Sequence, residues 1–128
     1  MNNVKVNLLE ERLITFSFNV IKIIESLPNT DFGSTMRDQL TRSCISPTLN
    51  YGEARGAESR RDFVHKMKVC LKELRETFNS LRLSKKYLEW KSSPIHEIDG
   101  LISENNELIS IFVASIKTSL GNNNEQNK

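Results

Sequence analysis

Little in this chain points to catalysis or to a membrane. Cysteine occurs only at Cys44 and Cys70. Two are too few for a disulfide scaffold, and their spacing fits no metal-binding pattern. His65 and His96 are the only histidines, and no Glu-x-x-His pair exists of the kind that di-iron helical bundles require. No metal and no cofactor is expected. There is no phosphate-cradling glycine loop and no nucleophile–base pattern, so the chain reads as non-enzymatic. No run of 18 apolar residues occurs, which excludes a membrane-spanning helix. The opening MNNVKVNLLEERL puts acidic residues where a signal peptide needs its apolar stretch. A cytoplasmic protein with reduced thiols is expected. There is no strand signal and no internal repeat.

What remains is a chain of 128 residues, long enough for one real core without staples. Its pattern predicts four helices. The first runs from about Asn7 to Leu27, with Leu9, Leu13, Phe16, Val20, Ile23, Ile24 and Leu27 on one apolar face. Ile14, Phe18 and Ile21 make a second stripe, roughly 100° around the helix from the first. A helix of a monomeric bundle needs one buried face. The second stripe therefore predicts either an oligomer interface or burial between two neighbours of its own chain. Leu27-Pro28-Asn29 ends the helix, because proline disfavours helical conformation in the residue before it.

The second helix, about Asp31 to Gly52, has the weakest periodicity. Pro47 lies inside it and predicts a kink, the alternative being two shorter helices. A loop from Glu53 to Glu58 follows, next to Gly52 and holding Gly56. Ser59-Arg60-Arg61-Asp62 fits a capping box and opens a third helix, about Arg60 to Trp90. Phe63, Met67, Cys70, Leu71, Leu74, Phe78 and Leu81 form its apolar face. Ser93 as N-cap with Pro94 at the first helical position predicts the start of a fourth helix, ending near Leu120 at Gly121. Asn105 falls on the apolar face of that helix, either buried and fixing register or at the edge. Short connections between long helices predict an all-α, antiparallel, up-down-up-down four-helix bundle over residues 1–120, with 121–128 as a polar, disordered tail.

Charge is distributed unevenly. Residues 1–54 carry five basic and six acidic side chains, 55–91 carry eleven and five, and 92–128 carry two and five. The positive excess sits in one third of the chain. Arg61, His65, Lys68, Lys72, Arg75, Arg82 and Lys86 recur at helical spacing down the third helix, with Asp62, Glu73 and Glu76 to one side. Such a row meets what a phosphate backbone needs, cations spaced along one rigid face. The competing reading is an ordinary solvated face. No aromatic residue interleaves with these cations, so contact with backbone and shape is expected rather than base stacking. The candidate nucleic-acid-binding residues are Arg61, Lys68, Lys72 and Arg75, with Arg55, Arg60 and Arg82 in support. Asn50, Glu53, Arg55 and Ser59 form a polar group at the turn, either a site or a set of helix-end contacts.

The run from Ser43 to Thr77 resembles the four-helix-bundle family of 23S rRNA intervening-sequence proteins, described as ribosomal-protein-like. The resemblance rests on Ser43, Ile45, Asn50, Glu53, Gly56, Ser59, Asp62, Phe63, Leu71, Glu73, Leu74, Glu76 and Thr77. It departs at Ala54, where the family turn usually has glycine, and at Tyr51, where a small or β-branched residue is usual. The resemblance implies a ring-like homopentamer. The family has members encoded inside intervening sequences of 23S rRNA genes and is similar to an accessory protein of diversity-generating retroelements, and both links imply binding of structured RNA or DNA. A protein-interaction scaffold without nucleic-acid binding is the other reading.

Overall fold

Three of the four helices begin where a short polar side chain accepts an amide hydrogen that the helix itself cannot use. Asn7 Oδ1 accepts from the Glu10 amide at 2.9 Å, Thr30 Oγ1 from Gly33 at 3.1 Å, and Ser59 Oγ from Asp62 at 3.0 Å. The computed structural model describes the backbone of residues 7–126 and the side chains of residues 7–121. In it these caps open α1 (Leu8–Glu25), α2 (Asp31–Arg55) and α3 (Arg60–Trp90), and α4 (Ile98–Gln126) follows.

Cross-helix bonds give the topology. Between α1 and α2, Arg55 Nη1 donates to Glu10 Oε1, Ser17 Oγ to the Cys44 carbonyl, and Arg37 Nη1 to the Leu27 carbonyl just past the end of α1. The partner number on α2 falls as the number on α1 rises, so the pair is antiparallel. Between α2 and α3 the same order holds, through Lys66–Glu53, Cys70–Pro47, Thr77–Ser43 and, at the head of α2, Tyr87–Thr30. Between α3 and α4, Asn105 Nδ2 donates to the Leu74 carbonyl and Lys85 meets Asp99. Each helix thus runs against its predecessor, and α1 also packs on α4, closing the bundle.

The core is filled by Leu13, Phe16 and Val20 of α1, Leu40 of α2, Met67, Leu74 and Leu81 of α3, and Leu108 and Phe112 of α4. Helix α2 is one continuous element through the buried Pro47, which accepts the Cys70 thiol at its carbonyl. It ends at Arg55, three residues beyond the expected Gly52, so the turn is 56–59 rather than the predicted Glu53–Glu58. A glycine lowers helix stability by about 1 kcal/mol relative to alanine but does not end a helix by itself. The same reason lets α4 pass Gly121 to Gln126. The predicted polar tail lies mostly outside the described side chains.

The start of α4 also differs from expectation. Ser93 does not cap a helix beginning at Pro94; α4 begins at Ile98. The amides of Ser92 and Ser93 are committed to the end of α3, donating to the carbonyls of Glu89 at 3.0 Å and Leu88 at 2.9 Å. Ser92 takes the left-handed φ of 56° that this Schellman closure needs. Residues that read as a helix start are thus the stop of the preceding helix.

Candidate nucleic-acid interface

Helix α3 turns its apolar face inward, and this fixes where its cations point. Cys70, Leu74, Thr77, Leu81 and Leu88 are buried. Arg61, Lys68, Lys72 and Arg75 lie on the opposite side and are exposed. From Arg61 to Arg75 the row spans about 21 Å at 1.5 Å per residue. Two shallow depressions follow it. One, of about 390 Å³, is lined by Arg60, Arg61, Val64, His65, Lys68 and Leu120. The other, of about 440 Å³, is lined by Lys68, Leu71, Lys72, Arg75, Glu76 and Asn79. Lys68 belongs to both, so the two share an edge.

Two carboxylates of the same helix, Glu73 and Glu76, pair across to α2, while Glu76 also edges the second depression. Arg42 spans them, with Nη1 2.8 Å from Glu73 Oε2 and Nη2 2.8 Å from Glu76 Oε2. Burial, then the neighbouring Glu76, pushes the Glu73 carboxyl up, against the pull of Arg42. The hydrogen bond from Arg42 holds Glu76 below the usual carboxylate range. Among the described residues, none of Arg61, Lys68, Lys72 and Arg75 has a carboxylate within 4.0 Å. The sequence places three acidic residues beside the stripe; the fold neutralises two of them with a cation from another helix.

The supporting residues separate. Arg60 and Arg61 open α3 together and line the first depression. Arg82 continues the row, its guanidinium 5.4 Å from the centroid of the Phe78 ring. Arg55 does not join the row. It ends α2 and pairs with Glu10 of α1 at 3.1 Å. Its neighbours in the polar turn are used the same way. Asn50 Nδ2 donates to the Ser46 carbonyl, Glu53 accepts from Lys66 at 2.8 Å, and Ser59 caps α3. Arg55, Glu53 and Ser59 serve seams and a helix end, and Asn50 bonds within α2.

Trp90 was not assigned to the stripe from sequence, which ended it at Lys86. It stands four residues on, in the same helical register, and is 75% exposed. The 3–4 spacing carried one step further would have found it.

Of the second apolar stripe on α1, Ile14 and Phe18 remain 45% and 59% exposed, and Ile21 is half-buried. The chain's own helices do not cover the first two. Leu49 is also exposed, one residue on from Thr48, whose hydroxyl meets that of Ser17 at 3.1 Å.

Cys44 and Cys70 are buried free thiols. Burial pushes Cys44 up to about 11 and Cys70 up to about 12, so both stay protonated at neutral pH. Among the described residues no three His, Cys, Asp or Glu side chains converge as a metal site. Among the described residues no helix is long and apolar enough to cross a membrane.

The family model for the 23S rRNA-intervening sequence protein matches residues 9–111. A crystal structure of a protein of unknown function from the S23 ribosomal protein family of Bacteroides thetaiotaomicron is similar, with a TM-score of 0.74 and 24% identity. The similarity covers 86% of this chain and 99% of that one, and it shows the shared fold. No curated protein matches the chain.

Proposed function

Because this chain belongs to the 23S rRNA-intervening sequence protein family, we propose that it is a non-enzymatic, homo-oligomeric bundle of the cytoplasm that binds structured RNA or DNA through the basic face of α3. One observation carries this. Four exposed cations follow one side of a rigid helix, while Arg42 of α2 pairs with Glu73 and Glu76. Such a face meets successive phosphates and releases their counterions. It reads backbone and shape before sequence. The family description names 23S rRNA, so structured RNA is the first probe.

The assembly proposed is a homopentameric ring. Exposed Ile14 and Phe18 give each subunit an apolar surface that association would bury. A ring repeats the basic face in every subunit, raising the field and the number of simultaneous contacts.

The test is binding of labelled structured RNA and duplex DNA across a salt series, with Lys68→Glu/Lys72→Glu/Arg75→Glu as comparison. Affinity should fall with salt and be lost in the variant while oligomeric mass and helicity stay the same. For milder Lys→Gln and Arg→Gln changes at the three positions, the log–log salt slope should become shallower by about 3. No binding at low salt, or equal binding by the variant, would refute the assignment. A second reading, a scaffold that recruits another protein, is favoured by the same exposed Phe18, Ile14 and Leu49. Indifference to nucleic acid together with tight capture of a defined protein would select it.

A further inference from the structure

We propose that Trp90 stacks an unpaired base, so that the ligand of the α3 face is a nucleic acid in which a duplex adjoins a single-stranded stretch. This rests on the nucleic-acid reading of the basic face and adds to it which nucleic acid is taken.

The register comes first. Positions 61, 65, 68, 72, 75, 79, 82, 86 and 90 advance by three or four and stay on the outward side of α3. The first eight are Arg61, His65, Lys68, Lys72, Arg75, Asn79, Arg82 and Lys86, all exposed and all polar. The ninth is the only tryptophan in the chain. It lies about 22 Å along the helix from Arg75. An indole at the end of a row of cations has the composition of a single-strand binding surface, where bases stack on a ring and phosphates meet the charges.

The ring is held without being covered. Tyr87 meets it edge-on, with centroids 5.9 Å apart and planes at 62°. Tyr87 is itself stacked on Phe32 of α2 at 4.1 Å, and its hydroxyl donates to Thr30 Oγ1 at 3.1 Å. The indole is therefore braced against the start of α2, yet 75% of the residue is exposed. Lys91 Nζ lies over the indole ring, 5.0 Å from its centroid, on a flexible exposed side chain that a stacking base would displace toward its phosphate, and Lys86 is one turn back. Leu83, 52% exposed, adds apolar surface one heptad before Trp90. Of the nearby carboxylates, Asp99 is paired. Lys85 lies 2.6 Å from Asp99 and 4.0 Å from Glu89.

A base inside a duplex shows its face only to its neighbours in the stack. An unpaired or extruded base offers both faces and can cover an indole. The Arg61–Arg75 section suits duplex backbone, and the Lys86–Lys91 end suits the strand where pairing stops.

Because Trp90 is the sole indole, its emission reports the contact directly. The full-length protein is titrated with two labelled RNA hairpins whose strands are joined by a non-nucleotide linker in place of a loop, one blunt and one with a few unpaired nucleotides at its end. Anisotropy of the label gives affinity, and tryptophan emission gives stacking. The overhang hairpin should quench Trp90 and the blunt one should not. Trp90→Ala should lose about tenfold in affinity for the overhang hairpin. Its affinity for the blunt hairpin and its salt slope should be unchanged, and Trp90→Phe should recover part of the loss. Tight binding of the overhang hairpin with unchanged emission, or equal binding by Trp90→Ala, would overturn the inference and leave the basic face standing. Failure of both hairpins to bind at low salt would overturn the basic-face reading and this one with it. A changed oligomeric mass in Trp90→Ala without RNA would place the indole in a subunit contact, and would also overturn it.

Discussion

Asn105 is the residue whose environment fits its chemistry least. It is fully buried on the inner face of α4. Its Nδ2 donates to the Leu74 carbonyl at 3.0 Å, while Oδ1 is buried with no partner among the described residues. An unsatisfied buried acceptor is more costly than a neutral hydrogen bond is favourable. Asn105→Leu, similar in shape, should therefore stabilise the bundle by about 1 kcal/mol in chemical denaturation; a loss of stability would show that Oδ1 is partnered. Glu73 makes a pH-dependent prediction. Its carboxyl is raised by burial and by Glu76. A raised carboxyl contributes stability that is present below its unfolded pKa and lost as pH rises through the folded one. Glu73→Gln removes that loss, and Arg42 keeps Glu76. The melting temperature of the variant should gain on that of the wild type as pH goes from about 4 to 7. A difference that stays constant with pH would contradict it.

At the scale of the element, the α1–α2 corner is the tightest joint. Gly33 sits in the first turn of α2, and a Cβ there would collide with the backbone carbonyl oxygen of Pro28. Backbone cannot swing aside as a long side chain does. Gly33→Ala should cost about 1–3 kcal/mol, seen as a lower thermal midpoint, although alanine is the better helix former. A neutral result would mean the corner relaxes. The helices themselves were largely legible in sequence. The cap at Ser59 and the 3–4 spacing of α3 involve residues within one turn of each other. The α3–α4 junction was misread for a physical reason. Ser92, Ser93 and Pro94 carry the same local signals for a stop as for a start, and the Schellman bonds to Glu89 and Leu88 decide between them.

For the whole molecule, the uncovered side of α1 matters most. Two of three residues in the second apolar stripe stay exposed after the bundle closes, with Leu49 of α2 nearby. Phe18 is at the centre of that stripe. In the proposed assembly, Phe18→Glu should dissociate the oligomer to monomers of 14.7 kDa in analytical ultracentrifugation. Far-UV helicity should be retained, because Phe18 does not fill the core. A wild type that sediments as a monomer would end the oligomer proposal. Loss of the ring should also weaken RNA binding, since each subunit then meets the ligand alone.

The amino-acid sequence by itself determined the four helices, the cap of α3, and the row of cations from Arg61 to Arg82. Each depends on residues within three or four positions, where helical geometry alone sets the neighbours. Only the tertiary structure decided that Arg42 pairs with Glu73 and Glu76 across 31 and 34 positions. It also decided that Arg55 serves α1, that Asn105 is buried, and that Trp90 is braced yet open. These outcomes follow from the rotation and register of one helix against another, set by the packing of the whole core, which no local period encodes.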